Sequence, residues 1–409
     1  MSTLSFRTGE ERPGRKDYPI RQIFHDHRQE ILSRSCLTEE QRKAAMLIGM
    51  CKTEELGFSA SYCPNCGMEL HYVSCNNRNC PNCQFEVQQE WIRLRENEVI
   101  PGIPYYHITL TVPHELNPLI QLNGKLLLEK IFFCSSRAVI DLCRDRRFLG
   151  AVPGIISVLH TWKQDLLAHY HVHMIVSGGG LNPTGKFVTQ NDPSRNRLKQ
   201  PEFEGGFFLP MAALTNLFRG KMMDEVKQLR RKGLLRMPDS TAYTDPAGWD
   251  VFCNSLYEKK WIGKIVQTFN GNGNAIEYLA RYTYRTAISN SRILSYDGET
   301  VTFSVKDRET GEKKPVRLPA MEFIRRFLLH VLPKGFSRVR YSGFLSNAGK
   351  KRNLKSIHIQ RRLPPYMPSP LRKASKQKIF LEIWNVDISV CRHCGAKLIP
   401  LPRGQPALL

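Results

Sequence analysis

The chain has 409 residues with 41% hydrophobic content, enough for two or three domains and at least one substantial core. Sixty lysines and arginines against 37 aspartates and glutamates leave a formal charge of +23, which points to a polyanionic partner, nucleic acid ahead of an acidic membrane surface. No stretch approaches the ~18 apolar residues of a membrane span, and the N-terminus MSTLSFRTGEERPGRKD lacks a secretory core, so the expected compartment is the cytoplasm.

In chain order, residues 18–57 show helical periodicity in YPIRQIFHDHRQEIL and TEEQRKAAMLIGMC, with Thr38 and Gln41 placed for a capping box. A cysteine-rich region at 63–83 precedes QFEVQQEWIRLRENEVI, which reads as one helix ending before Pro101. YYHITLTV at 105–112, GIISVLHTW at 154–162 and HYHVHMIV at 169–176 read as strands, with a helical segment between the first two. The order strand, helix, strand, strand predicts an α+β fold with a central antiparallel sheet flanked by helices. Residues 178–206 read as an exposed loop, 210–233 as a helix, and the stretch through 249 as a second polar excursion. Asp297-Gly298 marks a hairpin turn in RILSYDGETVTFSVKD, and the basic, Pro-containing segment 349–378 reads as DNA-contacting or flexible. No internal repeat is evident.

Twelve cysteines in an expected reducing compartment suit metal ligation better than disulfides. Cys63-x2-Cys66 and Cys80-x2-Cys83 form two knuckles with spacing suited to one tetrahedral zinc, with Cys75 and His71 as extra candidate ligands. Arg78 beside them faces either a backbone phosphate or solvent. Cys391-x2-Cys394 is half a site, open to completion by His393 or by distant residues, or to standing without metal. Cys36, Cys51, Cys134, Cys143 and Cys253 are scattered and read as buried thiols.

On a strand, His169, His171 and His173 share one face while Tyr170, Val172 and Met174 share the other. A pair of imidazoles one pleat apart can hold a divalent ion against a phosphate oxygen, with His169, Gln164 or His107 as the third ligand. Downstream, GNGNAIEYLARYTYRTAI offers Asn274 as a helix cap and Glu277 three positions on. The spacing puts Tyr278 and Tyr282 on one helical face with Arg281 and Arg285 beside them. A phenol with a pKa of about 10 lies about 4 kcal/mol from its nucleophilic anion at neutral pH. Nearby cations of this kind could supply that activation.

HVH at 171–173 resembles the histidine-hydrophobe-histidine motif of the HUH endonuclease superfamily, and YLARY resembles the paired nucleophiles of its two-tyrosine transposases. Together with HTWKQDLLAHYHVHMIVSGGG, YLARYTYRTAISNSRI, RRFLLHVLPKGFSRVRYSGFL and CPNC...CNNRNCPNC, the chain is similar over about 20–350 to the rolling-circle transposases of the insertion-sequence 91 family. It has Tyr284 where many relatives have His, a third candidate phenol.

The resemblance implies an HUH nuclease and strand-transferase domain over 101–290, after a helical region (1–60) and a zinc-binding module with connecting helix (61–100), and before a basic region (291–409) carrying the terminal CxxC. It implies Mg2+ or Mn2+ at His171, His173 and a third ligand, structural Zn2+ at the cysteines, and nicking and rejoining of single-stranded DNA at element ends through a 5′-phosphotyrosine on Tyr278 or Tyr282. A replication-initiator nickase and a non-catalytic zinc-dependent DNA-binding regulator are the alternatives; the oligomeric state is open.

Overall fold

The structure, a computed structural model, describes residues 6–8, 19–189, 208–270, 282–307 and 310–401. Strand β1 (Phe6–Thr8) pairs in parallel with β3 (Gly67–Tyr72), which forms an antiparallel hairpin with β2 (Phe58–Cys63). Before this hairpin lie helices Pro19–Asp26 and Glu39–Gly49. The second begins with the capping box expected from sequence, in which Thr38 and Gln41 each satisfy the other's backbone amide. Helix Pro81–Arg93 follows, starting earlier than its apolar periodicity suggests because Pro81 suits a first helical turn.

The central sheet is built from β4 (Pro104–Thr111), β5 (Val152–Trp162), β6 (Ala168–Leu181), β7 (Phe187–Thr189) and β8 (Gly263–Asn270). A small sheet follows, of β9 (Ile293–Tyr296), β10 (Thr300–Lys306) and β11 (Lys313–Pro319), in which Gly298 (φ 98°) supplies the left-handed turn residue between β9 and β10. The chain then returns to the central sheet with β12 (Val339–Gly343), giving the order β12-β5-β6-β4-β8 with β7 on β6, antiparallel throughout. Gly343 is required where β12 ends: its φ is 63°, and a Cβ there would sit 1.7 Å from the Pro153 carbonyl oxygen. A final short strand, β13 (Ile399–Pro400), pairs with β2.

Alternation gives the central sheet two different faces. Tyr106, Ile108, Leu110, Leu159, Val172, Met174 and Val176 pack under helices Gly124–Arg144 and Met211–Arg231. Tyr105, Ile156, Val158 and Ile175 on the opposite face are covered by Leu354 and Ile357 of helix Lys350–Gln360. That helix occupies the segment read from sequence as a basic tail; Leu354 and Ile357 are fully buried among lysines and arginines, while Ile359 on the other side is exposed. Helix Pro246–Glu258 begins in the last residues of the stretch expected to be a polar excursion and runs beyond it, buried through Trp249, Cys253 and Leu256.

A third core joins the N-terminal helices to the small sheet and helix Ala320–Leu328, with Phe24 edge-on to Phe327 at 5.1 Å between ring centroids. Segments that the sequence places in separate regions therefore share one hydrophobic interior. Glu98, 3% exposed, adds an ionic tie: its Oε1 accepts from Lys350 Nζ at 2.8 Å and Arg372 Nη2 at 3.0 Å.

Candidate active site and cysteine clusters

The cross-strand register assembles the histidines. His160 on β5 lies opposite His171 on β6, and Thr109 on β4 lies opposite His173. These strands bring His107, His160, His171 and His173 onto the sheet face that carries Ile156, Val158 and Ile175, each with under a tenth of its surface exposed. One nitrogen from each of His160, His171 and His173 lies within 4.8 Å of the other two.

The imidazole grouped with His171 and His173 is thus that of His160 from the neighbouring strand, rather than that of His169 or His107 or the Gln164 side chain. His169 lies one pleat further along β6 with its ring 4.9 Å from that of His171, and its carbonyl accepts a hydrogen bond from His171 Nδ1 at 3.1 Å. Gln164 lies in the turn between β5 and β6, its carbonyl accepting from Arg292. His107 supports the triad from behind: its Nε2 is 2.9 Å from His173 Nδ1, which also lies 3.3 Å from Thr109 Oγ1. His160 Nε2 donates to the Tyr282 carbonyl at 2.7 Å. Each triad ring is thereby oriented through one nitrogen, an arrangement that fits ligation through the other.

Burial, followed by the charge of Lys264, pushes His107 down to about 4. Burial also drives His160 and His173 well below the usual histidine range, reinforced by His171 beside His160 and by His160 beside His173. Neutral imidazoles are the form a metal ion binds.

Tyr282 covers this cluster. Its ring centroid is 4.2 Å from that of His173 and 5.1 Å from that of His107, both in stacked orientation. Tyr278 and Arg281 lie outside the described residues, as do Asn274 and Glu277. Arg285 is exposed, and its positive charge bears on both His160 and His173. Arg338, missed in the sequence reading, donates to the Arg285 carbonyl at 3.1 Å and to Asn79 Oδ1 at 3.3 Å, with its guanidinium 5.7 Å above Trp162. Trp162 in turn stacks on His160 at 4.6 Å. Tyr284 faces Trp91 at 6.1 Å, and burial pushes its phenol up to about 12, so it is a packing residue rather than a third phenol at the histidines.

The cysteines pair differently from the expected grouping. Cys80 and Cys83 join Cys51 and Cys75; Cys63 and Cys66 join Cys391 and Cys394. In each group all four sulfurs lie within 4.8 Å of one another, close to the ~3.8 Å edge of a tetrahedral zinc-thiolate centre. Cys51, read from sequence as a buried thiol, is a full member of the first group. There a Cys51 thiolate pushes Cys80 and Cys75 strongly up, so four thiolates need a cation to coexist. The donor set therefore fits structural Zn2+. His71 instead pairs with Glu69, 3.4 Å away. Arg78, half-buried, turns its guanidinium onto the chain itself: its Nη2 donates to the carbonyls of Leu332 (2.7 Å) and Pro333 (2.8 Å), and its Nη1 to that of Phe336.

Residues 154–353 match the family described as "Putative transposase", and residues 23–112 match the "Transposase zinc-binding domain" of insertion-sequence 91 elements. The chain is 33% identical over 321 residues to "Putative transposase y4qJ" of Sinorhizobium fredii, covering 78% of this chain and 77% of that protein. The chain belongs to the insertion-sequence 91 family of transposases. It is also 27% identical to the "Transposase for insertion sequence element IS801" of Pseudomonas savastanoi pv. phaseolicola, over 85% of this chain and 80% of that one. No solved structure matches the transposase. It is accordingly a DNA-cleaving enzyme, and the first matched segment contains His160, His171, His173, Tyr282 and Arg338. The second contains Cys51, Cys63, Cys66, Cys75, Cys80 and Cys83 of the transposase but neither Cys391 nor Cys394. Among its described residues, no helix is long and apolar enough to cross a membrane.

Proposed function

We propose that this transposase nicks and rejoins single-stranded DNA at element ends through a 5′-phosphotyrosine, supporting rolling-circle transposition. The observation that carries the reading is the Tyr282 ring stacked on His173, a member of the triad with His160 and His171. A divalent ion held by the three imidazoles would supply Lewis-acid stabilisation of charge on a phosphate oxygen. Three nitrogen donors, with no carboxylate grouped with them among the described residues, favour Mn2+ over Mg2+ of the two expected ions.

The phenol oxygen of Tyr282 forms a bond to phosphorus while the bond from phosphorus to the 3′ oxygen breaks, and that oxygen leaves as a hydroxyl. One phosphodiester replaces another, so a 3′-hydroxyl from a second strand can run the step backwards and join new partners without a nucleotide cofactor. Arg285 lends positive charge to the same neighbourhood, where it would stabilise charge developing on the scissile phosphate. His160 fixes the peptide that bears the nucleophile through its bond to the Tyr282 carbonyl. Tyr278, four residues earlier in sequence, is the second nucleophile, allowing two covalent ends.

Incubation with labelled single-stranded element ends and Mn2+ should give a denaturant-resistant protein–DNA adduct. The Tyr278→Phe, Tyr282→Phe double variant should give none; an undiminished adduct would overturn the tyrosine mechanism.

A further inference from the structure

We propose that Cys63, Cys66, Cys391 and Cys394 bind a second zinc ion, distinct from that of Cys51, Cys75, Cys80 and Cys83, and that this ion closes a zinc ribbon clamping residues 386–401 onto the N-terminal module. The inference is independent of the chemistry at Tyr282.

The two halves of the site are copies of one local structure. Both read C-x2-C-G, at 63–67 and 391–395, and both glycines take the left-handed conformation, Gly67 at φ 88° and Gly395 at φ 73°. Cys80-x2-Cys83 differs: Gln84 follows it, and its second cysteine sits in the first turn of helix Pro81–Arg93. Each matching knuckle is also the tip of a hairpin. Cys63 pairs with Gly67 at the end of β2 and β3, while Val390 bridges Lys397 and the Cys391 amide donates to the Ala396 carbonyl at 2.7 Å.

Within each knuckle, backbone amides turn toward sulfur. Those of Asn65 and Cys66 donate to Cys63, those of His393 and Cys394 to Cys391, and that of Ala396 to Cys394. The Asn65 side-chain amide adds a bond across the halves to Cys394 Sγ at 3.7 Å. Such donors stabilise metal-bound thiolates and orient them, as the outer shell of a structural site does. The halves are held in register by antiparallel pairing of Ile399 with Tyr62 and Pro400 with Ser61, extended by the Leu401 amide donating to the Ala60 carbonyl at 2.9 Å. Cys63 and Cys394 sulfurs lie 3.4 Å apart.

The two sites differ in access. Each has one half-buried cysteine, Cys75 in the inner site and Cys66 in the ribbon, but the ribbon also has Cys394 exposed, whereas the other three of the inner site, Cys51, Cys80 and Cys83, are all buried. The ribbon ion is therefore the first to be lost to a chelator, and its loss releases the C-terminal segment while the inner site stays closed.

Metal analysis of the purified full-length protein should find two zinc ions per chain. Cys391→Ser with Cys394→Ser should leave one, and Cys36→Ser, at an exposed cysteine outside both groups, should keep two. One zinc in the unaltered protein, a Cys63–Cys394 disulfide in its place, or two zincs in the double variant would overturn the proposal. Chelator titration of the unaltered protein makes the test independent of whether the variant folds. Zinc should leave in two phases, the first accompanied by increased hydrogen exchange confined to 58–67 and 386–401; a single phase with global loss of protection would overturn the clamp.

Discussion

His160 and His171 face each other across the β5–β6 ladder, with one imidazole nitrogen of each within 4.8 Å of the other and of His173. His160→Ala should lower Mn2+-dependent adduct formation more than about 100-fold, beyond the usual cost of losing an outer-shell partner. His169→Ala should leave it nearly unchanged, because the backbone carbonyl that accepts from His171 Nδ1 is retained. Equal losses in the two variants, measured as adduct yield against time, would argue against the triad.

His107 tests positioning separately from ligation. With its Nε2 2.9 Å from His173 Nδ1, its removal should raise the half-saturating Mn2+ concentration by roughly 10–100-fold while the rate at saturating Mn2+ changes little. A fall in the saturated rate with unchanged metal dependence would assign it another role.

The alternation of His169, His171 and His173 was legible because strand periodicity needs only local spacing. His160 was not singled out, because its place depends on register: counting outward from the turn between Lys163 and Leu167 reaches the His160–His171 pair only after an irregularity near Trp162. The cysteine grouping failed for a related reason. Proximity along the chain favoured joining Cys63 and Cys66 to Cys80 and Cys83, whereas the repeated C-x2-C-G pattern carried the better signal. Helix Lys350–Gln360 was obscured by its composition, since Leu354 and Ile357 alone bury its inner face among basic residues.

Acid should destabilise the metal-free protein through its buried histidines. His107 and His330 are each held near 4, chiefly by burial, against about 6.5 in the unfolded chain. Below 6.5 the unfolded state binds more protons, so their stabilising contribution is complete above that pH and is lost as pH falls toward 4. Each is worth on the order of 3 kcal/mol across this window. Urea unfolding between pH 7 and 4 should show the decline, reduced in His330→Gln; a flat profile would contradict it.

Glu98→Ala should cost about 3–5 kcal/mol, since it leaves the Lys350 ammonium without its partner, only 13% of that side chain being exposed. Arg372→Ala should cost less, because the Arg372 side chain is 44% exposed. Denaturant midpoints of the zinc-loaded protein would test the order, and a larger loss for Arg372→Ala would reverse it.

Arg78→Ala should destabilise the fold by about 3 kcal/mol through loss of charged donors to three backbone carbonyls. The salt dependence of DNA binding should keep its slope. A slope shallower by about one would instead mark Arg78 as a phosphate contact.

The pairing of Cys63 with Cys394 spans 331 residues. At roughly 5–20 residues per second, a ribosome needs about 15–65 s to deliver the second knuckle after the first. Throughout that interval Cys63 and Cys66 stand as an unfinished pair on the nascent chain, able to take up zinc only loosely and open to oxidation. Oxidant or zinc shortage during synthesis should therefore reduce the yield of closed protein far more than the same stress applied after the chain is complete.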